Sequence, residues 1–193
     1  MPVRLSAAFA ALLAFLPAVG LGAQHAGGPG GAPAVAPSEA RQFDFLIGEW
    51  RLDVRPRVSG LAARLHGAPR LSGTWKAWRA FDGWGIQDEL RIVDAGGNLQ
   101  SLTHALRVYD ATAQRWSQMG LDVLRARYNP SIAEWNGREM VITTSATDQE
   151  GKPHLVRVRF FDIGATAFKY EQARSYDGGK KWDDPLLTMS ASK

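Results

Sequence analysis

The sequence predicts an all-β fold: a single antiparallel up-and-down β-barrel of about ten strands, entered through a short N-terminal helical plug. Three observations lead there. Apolar and polar residues alternate with period two in run after run. Hairpin-turn sequences stand at nearly every junction between the runs. No helical stretch is long enough to carry the chain between parallel strands. A meander of this length has two edges to protect, and closing on itself removes both. A two-sheet sandwich is the alternative, but Greek-key sandwiches need long returns that hairpins at each junction do not supply.

The first segment reads as a secretory signal, with Arg4 as the positive end, Ala7 to Leu16 as the apolar core, Pro17 as a breaker and Gly20-Leu21-Gly22-Ala23 as the cleavage region. It is too short to span a bilayer, and no cysteine follows it to take a lipid anchor. Residues 1–23 are therefore expected to be a leader, and the product to be periplasmic or secreted. Residues 24–38 are Gly, Pro and Ala with almost no charge, which can bury nothing and should form a flexible tether. The barrel is expected over residues 39–193.

Ser38-Glu39-Ala40-Arg41-Gln42 can cap and begin a short helix, with Phe43, Phe45, Leu46 and Ile47 as a hydrophobic plug before Gly48 turns the chain. After Gly48 the alternation begins. Trp50, Leu52, Val54 and Val58 stand against Arg51, Asp53, Arg55 and Arg57. The pattern returns as Trp84, Ile86, Leu90 and Ile92 against Gln87, Glu89 and Arg91, then as Met140 and Ile142 against Glu139 and Thr143, and as Val156, Val158 and Phe160 against Arg157 and Arg159. Asp82-Gly83, Gly96-Gly97-Asn98, Asn136-Gly137, Gly151-Lys152 and Asp177-Gly178-Gly179 punctuate these runs. Ser59 to Arg70 lacks alternation and reads as a loop or a short lid helix.

Composition narrows the function classes. With no cysteine in 193 residues, disulfides and thiolate metal sites are out, and stability must come from a packed core, for which seven Trp and eight Phe are ample material. The net charge of +4 is slight and its Lys and Arg are scattered, which argues against a nucleic-acid surface; weak attraction to anionic membranes is the most it supports. His25, His66, His104 and His154 show no i, i+2 or i, i+4 pairing, so no metal or other cofactor is expected.

The opening Phe43-Asp44-Phe45-Leu46-Ile47-Gly48-Glu49-Trp50 carries the Gly-x-Trp start of calycins, the superfamily of lipocalins and fatty-acid-binding proteins. Together with the ending Asp177-Gly178-Gly179-Lys180-Lys181-Trp182 it resembles a family of secreted bacterial barrel proteins that open and close this way. The resemblance implies a barrel over roughly residues 39–193, often with an apolar ligand, and gives Gly48 and Trp50 a structural role at the barrel floor. Strand count also resembles the nitrobindin branch, but there is no C-terminal His to ligate haem. Ser175-Tyr176-Asp177-Gly178-Gly179-Lys180-Lys181-Trp182 fits the Asp-box hairpin of sialidase-type propellers; one copy cannot make a propeller, so Asp177 and Trp182 are read as a structural, self-capping turn.

On the run from Thr166 to Tyr176 the aromatic phase Phe168, Tyr170, Gln172, Arg174, Tyr176 is expected to face inward. An inward Arg174 beside tyrosine hydroxyls can bind a carboxylate or phosphate while apolar walls hold the tail. Arg174-Ser175-Tyr176 is similar to the late Arg-x-Tyr pair of fatty-acid-binding proteins; the competing reading stacks Arg174 on Trp50, as lipocalins place a late Arg. Asp88 lies on an apolar phase, and so does His104, with Leu102, Leu106 and Val108. Facing the lumen together, these two would be ligand anchors or an acid/base pair; otherwise each is a satisfied rim group.

Three functions stay open on the residues alone. The first is an exported carrier for an apolar or amphipathic small molecule, anchored by Arg174, Tyr176, Tyr170 and Gln172. The second is a lumen enzyme of isomerase or cyclase type using Asp88 and His104. The third is an envelope interaction module with a filled barrel and outer Arg rows at Arg51, Arg55 and Arg57.

Overall fold

The computed structural model describes residues 35–58 and 67–193. The expected leader, most of the tether and residues 59–66 of the non-alternating segment, where a loop or lid helix is expected, lie outside them. Two 3-10 turns, Ser38–Arg41 and Asp44–Leu46, precede ten strands. The strands are β1 Gly48–Pro56, β2 Leu71–Ala80, β3 Gly85–Asp94, β4 Leu99–Asp110, β5 Arg115–Asp122, β6 Arg127–Trp135, β7 Met140–Thr147, β8 Pro153–Phe161, β9 Ala167–Ser175 and β10 Leu187–Ser192. Each pairs antiparallel with its sequence neighbours, and β10 returns to β1 to close the barrel. The predicted fold is the observed one. The expected capped helix is instead the pair of 3-10 turns: Pro37 occupies the N-cap without a side-chain bond, and the Ser38 hydroxyl donates to Glu39.

Gly48 has φ +116°, a backbone region that L side chains avoid, and this turns the chain from the plug into β1. Trp50 follows inside the barrel, and its indole N–H donates to the Leu46 carbonyl at 2.8 Å, pinning the plug to the wall. Two further bonds hold it. Trp116 donates to Gln42 Oε1 at 3.0 Å, and Arg79 donates to the Ala40 carbonyl at 2.8 Å while also pairing with Asp44. Phe43 stands edge-on to Trp116 with centroids 4.8 Å apart, Trp50 edge-on to Phe168 at 4.8 Å, and Phe45 against Phe160 at 5.6 Å. Edge-to-face packing of this kind adds to the area term. One half of the barrel is thus a solid aromatic core.

On the outer wall, Arg159 of β8 makes a bidentate pair with Glu139 at 2.7 and 2.9 Å and reaches Glu171 of β9 at 2.7 Å. The guanidinium holds the Glu139 carboxyl below its ordinary value of 4.5. At the end of β9, the Ser175 hydroxyl donates to Asp177 at 2.7 Å and accepts from the Gly179 N–H at 2.9 Å, while the Lys181 N–H donates to Asp177 at 2.9 Å. Trp182 lies 4.2 Å from the Arg157 guanidinium. Ala173 and Ser175 belong to the outer phase of β9 yet are buried.

Two outcomes are expected. Phe43→Ala removes a fully buried ring and should cost about 3–5 kcal/mol in urea unfolding; a loss below about 1 kcal/mol would show that the plug unfolds separately from the barrel. Because Glu139 titrates lower when folded, its stabilisation is complete above pH 4.5 and disappears as pH falls through the folded value. Arg159→Met should therefore flatten the dependence of stability on pH below that point, leaving the neutral-side slope unchanged.

Candidate functional site

Side chains alternate between lumen and exterior, so register decides which residues meet inside. The plug fills the end formed by the start of β1 and the end of β2. Toward the opposite end the inward residues of β4 are small, Ser101, Thr103 and Ala105, and a cavity of about 240 Å³ remains between them and the inward faces of β3, β7, β8, β9 and β10. Its walls are Leu90, Ile92, Ile142, Val158, Leu187 and Met189. Its polar lining comprises Ser101, Thr103, Gln172, Tyr170, Asp88 and Arg107.

Asp88 and Arg107 are the buried charges of this lumen, their side chains only 3% and 6% exposed. Arg107 Nε donates to Asp88 Oδ2 at 2.6 Å, and the Trp75 indole donates to Asp88 Oδ1 at 2.8 Å. A second guanidinium N–H goes to Gln118 Oε1, and the guanidinium carbon lies 5.0 Å from the Phe43 ring centroid. The four polar residues come from four successive strands, β2 to β5, and cross-strand register brings them together. Pairing of Asp88 with Ala105 puts Arg107 one inward step away, and pairing of Arg107 with Gln118 completes the row. Tyr170 donates to Gln172 at 3.3 Å, and burial pushes its phenol pKa up, so the hydroxyl stays protonated.

The sequence-predicted residues divide by position. Asp88, Tyr170 and Gln172 line the cavity. His104 does not: it faces outward, 5.7 Å from the Trp78 ring, because the inward phase of β4 is Ser101, Thr103, Ala105, Arg107 and Tyr109 rather than the apolar Leu102, Leu106 and Val108. The pairing is Asp88 with Ala105 and Glu89 with His104, so the imagined acid/base pair is split across the wall.

Arg174 sits at the other end of β9 from Phe168, away from the plug and outside the cavity lining. Its Nε donates to Asp183 at 3.2 Å and its guanidinium lies 5.4 Å from the Tyr176 ring. Tyr176 is likewise outside the lining; its hydroxyl donates to Asp148 at 3.1 Å. The cation over Trp50 is Lys193, with Nζ 4.5 Å from the ring centroid, and not Arg174.

Arg107 is the charged lumen residue that sequence reasoning missed, along with Trp75 and Gln118 beside it and the hydroxyls of Ser101 and Thr103. The signal for Arg107 was its phase with Tyr109, which pairs with Trp116 across the β4–β5 hairpin: two aromatics facing each other beside a tight turn mark the inward side. A larger hollow, about 760 Å³, lies across β5, β6 and β7 and is lined chiefly by outward residues such as Ser117, Met119, Ile132 and Thr143. Its buried polar group among the described residues is Gln118, the outermost member of the Asp88–Arg107 network, whereas the lumen cavity has an apolar wall and carries the ion pair itself.

The sequence matches no family model, and no curated protein matches it.

Removing one partner of the central pair leaves the other buried and uncompensated. Arg107→Met should cost about 3–5 kcal/mol, whereas the double variant Asp88→Leu/Arg107→Met should recover most of that loss. Denaturant unfolding of the two variants separates the outcomes: a double variant as unstable as the single one would mean that the pair is not the reason for the cost.

Proposed function

We propose that this chain is an exported small-molecule binding protein that holds an apolar or amphipathic ligand in its barrel lumen, as calycins do. The observation that carries the reading is the cavity of about 240 Å³ inside the barrel, walled by apolar side chains, with hydroxyls at Ser101 and Thr103 and a buried ion pair at its floor. The composition of residues 1–23 supports export, and the Gly48-x-Trp50 opening supports the calycin kinship. Anchoring belongs to the floor, to Asp88, Arg107, Tyr170 and Gln172, rather than to Arg174, whose charge is already met by Asp183.

The test fills the lumen. Thr103→Trp places a large side chain in the cavity from a position with small inward neighbours on its own strand. Uptake of an apolar fluorescent probe by the full chain should fall at least about tenfold in that variant, while far-ultraviolet circular dichroism stays barrel-like. A folded variant that takes up the probe as well as the parent chain would place the binding elsewhere, with the outer hollow on β5 to β7 the next site to block.

A further inference from the structure

We infer that the lumen accepts an uncharged, compact molecule of about ten non-hydrogen atoms that carries one oxygen acceptor, and that this oxygen is taken by a guanidinium N–H of Arg107 at the cavity floor. The inference rests on the lumen being the binding site and adds the chemistry of what enters it.

Size follows from volume. A protein cavity of roughly 150 Å³ holds a benzene molecule, so the space of about 240 Å³ inside the barrel matches a ring with a short chain or substituent.

Charge follows from the floor. Asp88 and Arg107 are the ionised side chains on the cavity lining, and they compensate each other at 2.6 Å. Tyr170, the other titratable group of the lining, is held in its neutral form by burial. A carboxylate entering this site would meet the field of Asp88 at close range and find no cation left uncompensated, while giving up its own hydration. Arg174 is tied to Asp183 and gives no relief inside the cavity.

Polarity follows from the hydrogen-bond inventory. Both Asp88 oxygens already accept, one from Trp75 and one from Arg107, and Gln172 Oε1 accepts from Tyr170. Of the five N–H groups of a guanidinium, Arg107 spends one on Asp88 and one on Gln118 among the described residues. What the floor lacks is an acceptor. A carbonyl, ether or hydroxyl oxygen supplies it without adding charge.

The experiment is titration calorimetry of the full chain at pH 7 with three probes of matched size: propiophenone, phenylacetate and butylbenzene. Each is also titrated into the double variant Asp88→Leu/Arg107→Met, which keeps the floor filled with apolar side chains. The inference expects propiophenone to bind the parent chain at least about tenfold more tightly than phenylacetate. It expects the double variant to lose about tenfold for propiophenone and little for butylbenzene, since only the ketone loses a charge-assisted bond. Phenylacetate binding as tightly as the ketone overturns the uncharged occupant while leaving lumen binding intact. Equal effects of the double variant on ketone and hydrocarbon overturn the Arg107 contact. Failure of all three probes to bind the parent chain, together with probe uptake that Thr103→Trp does not reduce, overturns the inference and the lumen reading with it.

Discussion

A pair of opposite charges sealed at mid-barrel organises this molecule. Burying Asp88 and Arg107 costs each of them its hydration, and their attraction recovers that cost only if geometry is good and the remaining donors and acceptors are met. Trp75 meets the second Asp88 oxygen and Gln118 one further guanidinium N–H, from the strands on either side. The requirement fixes the register of four consecutive strands at once, because a slip of one residue on any of them would turn its member of the network out to solvent. It also divides the lumen. On the side of Phe43 the space next to the guanidinium is filled by aromatic rings, and on the other side it is left hollow.

The plug and the closing seam depend on the same division. Trp50 is held between the Leu46 carbonyl on one side and the Lys193 ammonium over its ring, so the first inward residue of β1 touches both the plug and the last residue of the chain. Cation–π contact and indole hydrogen bond act where β1 and β10 meet to close the barrel. The Gly-x-Trp opening is therefore legible as physics: a positive φ at Gly48 to turn the chain, then a large amphipathic ring to fasten it.

Much of the fold could be read because alternation, hairpin turns and the absence of long helices all point the same way. The strand count, the closure and the inward set Trp50, Leu52, Val54, Phe160 and Phe168 need no other information. The site was harder, and β4 shows why. Its outer face carries Leu106 and Val108, both more than a third exposed, while its inner face carries Ser, Thr, Ala and Arg. A rule that sends the more apolar phase inward inverts this strand, hiding Arg107 and bringing His104 into a lumen it does not face. Hydrophobic patterning reports burial in a filled core. It fails where the inward face must leave room or place a charge, which is where a binding site differs from a core. Arg174 keeps the phase of Tyr170 and Gln172, but it stands where β9 ends, and at that rim its side chain finds a partner, Asp183, in the following loop.

The hollow half of the lumen has an energetic meaning of its own. About 240 Å³ that no side chain fills is packing that this half of the barrel does without. Filling it asks for little. Ser101, Thr103 and Ala105 stand in one inward row on β4, and larger apolar residues there would close the space using the same backbone, as the rings of Trp116, Phe160 and Phe168 do nearer the plug. The chain thus packs one end of its barrel with its largest side chains and the other with some of its smallest, and sets the polar network at the boundary. A barrel serving only as a scaffold has no reason for that asymmetry. On the proposed reading the asymmetry has one: the barrel keeps a space open above a fixed hydrogen-bonding floor, and a ligand there would supply the packing that the missing side chains do not.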